Sequence, residues 1–122
     1  MNIGIVGSRN FDNREMMLEH IPAGYTTIVS GGAKGADALA ETLANHLGLD
    51  VIVHKAQWDL YGKRAGPIRN QKIVDDSDAL LAFPSKNGRG TQITIDMAQK
   101  KGIPVYVVDD WEEDEQWVGR DG

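Results

Sequence analysis

Four short segments of the sequence combine glycines or small polar residues with positively charged side chains. Each follows an apolar run and precedes a helical pattern, so each is expected to be a strand-to-helix turn. The segments read GSRN (7–10), SGGAKG (30–35), YGKRAGPIRN (61–70) and NGRGT (87–91). Their cations are Arg9, Lys34, Lys63, Arg64, Arg69 and Arg89.

A positive side chain at the start of a helix is unfavourable by a few tenths to about 1 kcal/mol, because the helix dipole is already positive there. A bound anion removes this penalty and uses both the cations and the free backbone N–H groups. The four turns therefore predict a phosphate-binding site. Its expected residues are Gly7, Ser8, Arg9, Ser30, Gly31, Gly32, Lys34, Gly35, Asp37, Arg69, Asn70, Gly88, Gly90 and Thr91.

Several side chains near these turns have more than one interpretation. Asp37 is either an acid that complements the dipole of a helix or a ribose ligand. Trp58 and Tyr61 could stack on a base or fill the core. Pro67 is expected at the first position of a helix, which would place Arg69 in its first turn as a bidentate phosphate ligand.

The sequence lacks the residue patterns of common nucleotide-binding motifs and of metal sites. SGGAKG does not have the Walker spacing, and GSRN is not the GxGxxG fingerprint of dinucleotide sites. The chain has no cysteine, and no His, Asp and Glu cluster has the spacing of metal ligands. His54 is expected to be packed or on the surface, and Asp78 to be a turn residue. We therefore predict neither a metal nor a cofactor.

The elements that position the turns alternate along the chain. Apolar, β-branched runs predict buried strands over residues 3–6, 26–29, 51–53, 79–83 and 105–108, and helical patterns cover 12–20, 36–47, 67–76 and 91–101. Gly48 and Gly102 are expected to end two of the helices. The order predicts an α/β fold: one Rossmann-like domain with a parallel five-stranded sheet and helices on both faces.

Charge divides the chain into a body, residues 1–108, and an acidic C-terminal tail, residues 109–122. The net charge is −5, but the tail holds seven acids against Arg120. The nearly neutral body makes nucleic acid an unlikely partner, since phosphate backbones need a clustered basic face. We expect the tail to be solvated, with Trp111 and Trp117 as candidate docking points.

Neither composition nor hydropathy points to a membrane. No apolar run approaches the about 20 residues that a membrane-spanning helix needs. The absence of cysteine fits a reducing compartment. We expect a soluble, cytoplasmic protein.

Four motifs, in this order and spacing, resemble the YspA-like (cpYpsA-related) family of the SLOG superfamily. They read GSRNF, SGGAKGADALAE, GPIRNQKIVDDSDALLAF and GRGTQITIDMAQKKGIPVYVV, and the resemblance covers residues 2–108. It implies a Rossmann-like domain that binds nucleotides or their derivatives at the turns above. It also implies a homodimer packed through helices.

Some relatives in that superfamily, the Lonely Guy and lysine-decarboxylase-like phosphoribohydrolases, release a base from a nucleoside monophosphate. The resemblance carries Arg69 over as their phosphate or catalytic arginine, and Gly88, Gly90 and Thr91 match their PGGxGTxxE element. Residues 92–94 supply no carboxylate where their catalytic glutamate is expected. Asp37 and Asp96 are the candidate substitutes, because cleavage through an oxocarbenium-like state needs a carboxylate.

Three functions follow from these observations. The first is a protein that senses or sequesters a phosphate-bearing nucleotide derivative, either ADP-ribose-like or a nucleoside monophosphate. The second is a phosphoribohydrolase or N-glycosidase that acts on such a ligand. The third is a single-stranded nucleic-acid-binding module like the DprA branch of the superfamily, which the charge of the body disfavours.

Overall fold

The structure is a computed structural model that describes residues 1–86 and 89–111. Strands and helices alternate along it. The strands are β1 (Asn2–Gly7), β2 (Thr27–Ser30), β3 (Asp50–Val53), β4 (Ala79–Phe83) and β5 (Val105–Val107). The helices are α1 (Arg14–His20), α2 (Ala36–Leu47), α3 (Trp58–Tyr61), α4 (Ala65–Asp75) and α5 (Gly90–Lys101).

The five strands form one parallel sheet in the order β3-β2-β1-β4-β5. The chain moves outward from β1 to β3, then crosses back to place β4 on the other side of β1. This is the strand order of a Rossmann-like sheet, and the predicted fold is confirmed. The β1/β4 boundary is the topological switch point, where such sheets bind their ligands beyond the carboxyl ends of the strands.

Helices cover both faces of the sheet, because successive strand residues point to opposite sides. Ile3 and Ile5 of β1 pack in one apolar cluster with Met17 of α1 and Leu43 of α2. Leu80 of β4 belongs to a second cluster, which contains residues of α4 and α5. Strands buried on both faces explain why their sequences are continuous apolar runs.

Two helices end at the glycines predicted from the sequence. Gly48 and Gly102 adopt left-handed backbone conformations, with φ of 74° and 86°, and their N–H groups donate to the last turns of α2 and α5. This conformation suits glycine because it has no Cβ. No helix within the two described segments is long and apolar enough to cross a membrane.

The segment between β3 and α4 differs from the prediction. The short helix α3 and a single 3-10 turn at Gly62–Arg64 precede α4, which begins at Ala65. Pro67 is therefore the third residue of α4 and not the first, and Arg69 is the fifth. Proline is tolerated there because the first four N–H groups of a helix have no partner within it.

The chain beyond β5 returns to the sheet. Trp111 is buried, its Nε1–H donates to the carbonyl oxygen of Pro84 at 3.1 Å, and its ring lies edge-on to Phe11 at 5.0 Å. The docking proposed for Trp111 is present. Trp117 and the rest of residues 112–122 lie outside the described residues, so the predicted tail stays a prediction.

The turn after β1 and the start of α2 are joined by backbone contacts. The Ala36 N–H donates to the Ser8 carbonyl at 3.1 Å. Gly35 has a φ of 77°, and a Cβ on it would lie 2.4 Å from the Ser8 carbonyl oxygen and 2.5 Å from the Arg9 Cα. Only glycine fits this close approach, because the neighbouring atoms are backbone and cannot rotate away.

Gly35→Ala should destabilise the fold. We expect its free energy of unfolding, measured by urea denaturation, to fall by at least about 2 kcal/mol, through backbone strain and overlap with the turn after β1. Gly90→Ala is the matched control, because no atom lies within 4 Å of a Cβ built there. A Gly35→Ala protein as stable as Gly90→Ala would contradict the junction described here.

Candidate functional site

A cavity of about 1030 Å³ opens at the carboxyl edge of the sheet. It spans the switch point, since its walls come from the turns after β1 and β2 on one side and from the start of α5 on the other. The residues lining it are Val6, Gly7, Ser8, Arg9, Asn10, Gly31, Gly32, Ala33, Lys34, Asp37, Lys55, Ala56, Trp58, Arg69, Asn70, Ser85, Gly90, Thr91 and Thr94.

The turn after β1 lines one side of this cavity. A Cβ on Gly7 would lie 2.7 Å from the Phe83 carbonyl oxygen, so a glycine lets β1 and β4 end side by side. The Ser8 N–H donates to that same carbonyl at 2.9 Å. The Ser8 hydroxyl accepts from the Asn10 N–H at 3.0 Å, which holds the turn that presents Arg9.

The turn after β2 is held by a buried serine. Ser30 Oγ lies 2.7 Å from Glu41 Oε2, to which it donates, and accepts from the Gly32 N–H at 3.2 Å. Gly32 has a φ of 70°, and the aliphatic part of Lys55 crosses it, with Cγ 3.0 Å from where a Cβ would stand. Ser30 therefore supports the turn from below, and Lys55 lies across it.

Asp37 and Arg69 meet at Gly31. Arg69 Nη1 donates to the Gly31 carbonyl at 2.8 Å, and Arg69 Nε donates to Asn70 Oδ1 at 2.8 Å. A Cβ on Gly31 would lie 2.7 Å from Asp37 Oδ2 and 2.8 Å from Arg69 Nη1, so a side chain there would force one of these charged groups to move. The arginine thus holds the glycine turn as well as lining the cavity.

The carboxyl group of Asp37 is buried, with 6% of the residue exposed. Burial raises its pKa from 3.8 to about 6, and the nearby charge of Glu41 adds to this. Hydrogen bonds from the Ala33 and Gly31 N–H groups and the charge of Arg69 act in the opposite direction. Desolvation outweighs them because it disfavours the charged carboxylate.

Three cations at the cavity make no ion pair or side-chain hydrogen bond with any residue in 1–86 or 89–111. They are Arg9 after β1, Lys34 after β2 and Lys55 after β3, and the first two were predicted. Lys63, Arg64 and Arg89, the other cations of the predicted turns, do not line the cavity. The basic character of the site thus comes from three loops and Arg69.

The start of α5 contributes small and hydroxyl-bearing residues. Gly90 and Thr91 line the cavity as predicted, and Thr94 Oγ1 donates to the Gly90 carbonyl at 3.2 Å. No atom lies within 4 Å of a Cβ built on Gly90, so close packing does not require a glycine at this position. Gly88, the remaining predicted residue of this turn, lies outside the described residues.

Asp96 is not brought to the site. It lies two residues beyond the buried Thr94, about 200° around the helix axis, and it is exposed. Its Oδ1 accepts from Gln92 Nε2 at 2.9 Å. Among the described residues that line the cavity, the one carboxylate is that of Asp37. Asp96 is therefore dropped as a catalytic candidate.

Gly35 does not line the cavity but supports it through the junction with Ser8. Ser30 does not line it either, because it is buried beneath the turn after β2. The other ligand-binding residues predicted from the sequence that the structure describes all line the cavity, while their roles toward a ligand stay predictions. No group of three His, Cys, Asp or Glu side chains within the described segments could hold a metal ion. His54 instead pairs with Asp76, at 2.6 Å from Nε2 to Oδ2.

Sequence reasoning missed Lys55 as a site residue. The turn after β3 has no glycine, and glycine was the signal that marked the other turns. Its position at the carboxyl end of a strand was the signal available, because all parallel strands of one sheet end at the same edge. Of the two aromatic residues with open interpretations, Trp58 lines the cavity and Tyr61 does not.

Three comparisons bear on identity. The family model for YspA, cpYpsA-related SLOG proteins matches residues 1–61. The chain is 38% identical over 114 residues to the Gene 61 protein of Mycobacterium phage D29, covering 83% of this chain and 90% of that protein. In structure it is similar to DNA processing protein A (DprA) from Streptococcus pneumoniae, with a TM-score of 0.75 and 20% identity. That likeness covers 99% of this chain and 56% of the DprA chain.

The strand order and the cavity at the switch point define a Rossmann-like α/β protein with a cavity at the carboxyl edge of its sheet. The chain belongs to the YspA, cpYpsA-related SLOG family. The resemblance inferred from the four motifs is thus confirmed. The DprA likeness supports the fold alone, and the chain spans little more than half the length of that protein.

The raised pKa of Asp37 predicts a pH-dependent stability. Between about pH 4 and about pH 6 the folded carboxyl keeps a proton that the unfolded chain has lost, so the contribution of Asp37 to the free energy of unfolding falls as pH rises through this interval. We expect the stability of the natural protein relative to Asp37→Asn to fall by roughly 1 to 3 kcal/mol between about pH 4 and about pH 7.

The measurement is urea denaturation of both proteins at several pH values. The two proteins share all other titrating groups, so the contributions of those groups cancel in the difference. Carbon-detected NMR of the Asp37 carboxyl gives its pKa directly. A stability difference that does not change with pH would show that burial does not raise the pKa of the Asp37 carboxyl.

Proposed function

We propose that the protein binds a phosphate-bearing nucleotide or nucleotide derivative at this cavity and acts as a sensor or sequestering protein. The observation that carries the proposal is the meeting of Arg9, Lys34 and Lys55 around one cavity without an anionic partner in the described chain. Like charges placed together repel one another, and a bound phosphate would turn this repulsion into attraction.

The helix dipoles favour the same ligand. α2 begins directly after the turn that carries Lys34, and α5 begins at Gly90 across the cavity. Both helices are 12 residues long, so each has a full dipole whose positive end lies at the cavity. Phosphate is the common ligand of such helix starts.

The size of the cavity favours more than an inorganic anion. Its volume of about 1030 Å³ lies at the upper end of the roughly 300 to 1,000 Å³ that is typical of small-molecule sites. Thr91 and Asn70 supply hydroxyl and amide groups that suit a sugar. Membership of a SLOG family also favours nucleotide-related ligands. ADP-ribose-like compounds and nucleoside monophosphates both remain within the proposal.

Binding should depend on the free lysines. Calorimetric titrations with AMP, ADP, ADP-ribose and NAD measure the affinity. We expect Lys34→Ala and Lys55→Ala each to lower the affinity for the bound nucleotide about tenfold, because each loses one charge-assisted hydrogen bond. Lys63→Ala is the matched control, because Lys63 is exposed nearby but does not line the cavity. Arg69→Ala is less suitable because Arg69 also holds the Gly31 carbonyl.

An equal loss of affinity in all three lysine variants would show that the ligand is held by the general positive charge of the surface and not by the cavity. Binding of none of the four compounds would overturn the proposal. The DprA likeness makes a single-stranded oligonucleotide a necessary further probe, and a tight complex that weakens steeply with salt would favour a nucleic-acid-binding module instead. The predicted homodimer stays a prediction, which sedimentation of the same samples would test.

A second candidate function is N-glycosidase or phosphoribohydrolase activity on such a nucleotide. Asp37 favours it, because a carboxyl group with a pKa of about 6 beside an arginine lies in the cavity. In this reaction the bond from the sugar C1′ to the base breaks, water adds to C1′, and the base leaves with a proton. A carboxylate would stabilise the oxocarbenium-like state and accept a proton from the water.

Under this second candidate, Asp37→Asn should abolish release of the base from AMP and leave AMP binding within about threefold, because the amide keeps the size of the carboxyl but cannot take a proton. Mass spectrometry of the incubated nucleotide would detect free adenine and ribose 5-phosphate. Intact AMP recovered from the natural protein would eliminate the enzyme and leave the binding function.

A further inference from the structure

Trp58 is a large aromatic side chain that lines the cavity while 59% of it is exposed. It begins the short helix α3, between β3 and the 3-10 turn. Its Cη2 atom lies 3.5 Å from where a Cβ on Gly66 would stand, so the indole rests against the first turn of α4. The edge of the ring thus lies beside the backbone of α4, and more than half of the residue is exposed.

The indole does not serve the core. The buried ring of Phe11 stacks on Phe83 and contacts Trp111 edge-on, in the apolar cluster that contains Met17 and Leu43. Trp58 makes no ring contact with any described residue. Its N–H donates to no acceptor in residues 1–86 or 89–111. Buried tryptophans normally find such an acceptor, as Trp111 does.

Lys55 lies against the glycine turn after β2, three residues before Trp58 in the chain. The Lys55 Cγ and Cε atoms lie 3.0 Å and 3.7 Å from the position of a Cβ on Gly32. Three residues later the chain presents the indole to the same cavity. A ligand whose phosphate lies at the turn of residues 31–34 would therefore meet Lys55 at that turn and share the cavity with the indole of Trp58.

We propose that Trp58 is the specificity-determining residue that stacks on the base of the bound nucleotide, with Lys55 between the base and the phosphate. This inference rests on the proposed function and adds the residue that recognises the base, so that the site prefers a nucleotide to a sugar phosphate or an inorganic anion. Stacking of a base on an aromatic side chain is sequence-tolerant, so Trp58 selects for a base without selecting which one.

The test compares ligands that differ by the base. AMP is titrated beside ribose 5-phosphate, and ADP and ADP-ribose beside pyrophosphate, against the natural protein, Trp58→Ala and Trp58→Phe. We expect Trp58→Ala to weaken the three adenine compounds at least about fivefold, the lower end of stacking measured by alanine substitution, and to leave the two base-free anions within about twofold. Trp58→Phe should restore most of the affinity.

Leu60→Ala is the matched control, since Leu60 lies on the same helix, is 67% exposed and does not line the cavity. A second readout is tryptophan fluorescence. Adenine compounds should quench it in the natural protein and not in Trp58→Phe, which keeps Trp111 and Trp117.

The two proposals fail in different ways. If the natural protein binds neither the three adenine compounds nor NAD, the proposed function is wrong and this inference falls with it. If adenine compounds bind equally well to Trp58→Ala, or if Trp58→Ala weakens the base-free anions equally, the binding site stands and the role of Trp58 is wrong. An equal loss of affinity for adenine compounds in Leu60→Ala would show that the effect comes from a disturbed α3, and would also overturn the inference.

Discussion

The close approach of Gly35 to the backbone of Ser8 and Arg9 is the constraint on which the site depends. It brings the turn after β1 under the start of α2, so that two loops separated by a whole βα unit share one wall. A side chain at this position would push the helix away from the sheet edge. The distance between Arg9 and Lys34, and with it the electrostatics of the cavity, follows from a contact between backbone atoms.

Behind that wall lies a polar network that keeps the glycine turn rigid. Asp37 is nearly buried, and a buried carboxyl is costly unless hydrogen-bond donors or a positive charge face it. Ala33 and Arg69 provide these, and Arg69 in turn holds the Gly31 carbonyl. The arginine that sequence reasoning assigned to phosphate therefore also stabilises the protein, and these two tasks are compatible because a guanidinium has five donors.

Most of the fold could be predicted because its signals are local. Continuous β-branched runs mark strands buried on both faces, and Gly48 and Gly102 mark helix ends. The turns of the site were predicted where a glycine accompanies a cation in the sequence. Lys55 was therefore missed, because the turn after β3 has no glycine. The sequence also could not show that Asp96 lies on the wrong side of α5, or that the 3-10 turn carries Lys63 outside the cavity, because side-chain direction depends on where each helix begins.

The site thus combines two kinds of positive charge with different consequences for a ligand. Arg69 is held in place before any ligand arrives, so little conformational entropy is lost when it contacts one. Lys34 and Lys55 have no partner in the described chain, and ordering their long side chains costs entropy that only a strongly charged group offsets. A ligand with phosphate alone would meet these costs without using Trp58. A nucleotide would gain from both the cations and the exposed ring, which is why the geometry favours a base-bearing ligand over a simple anion.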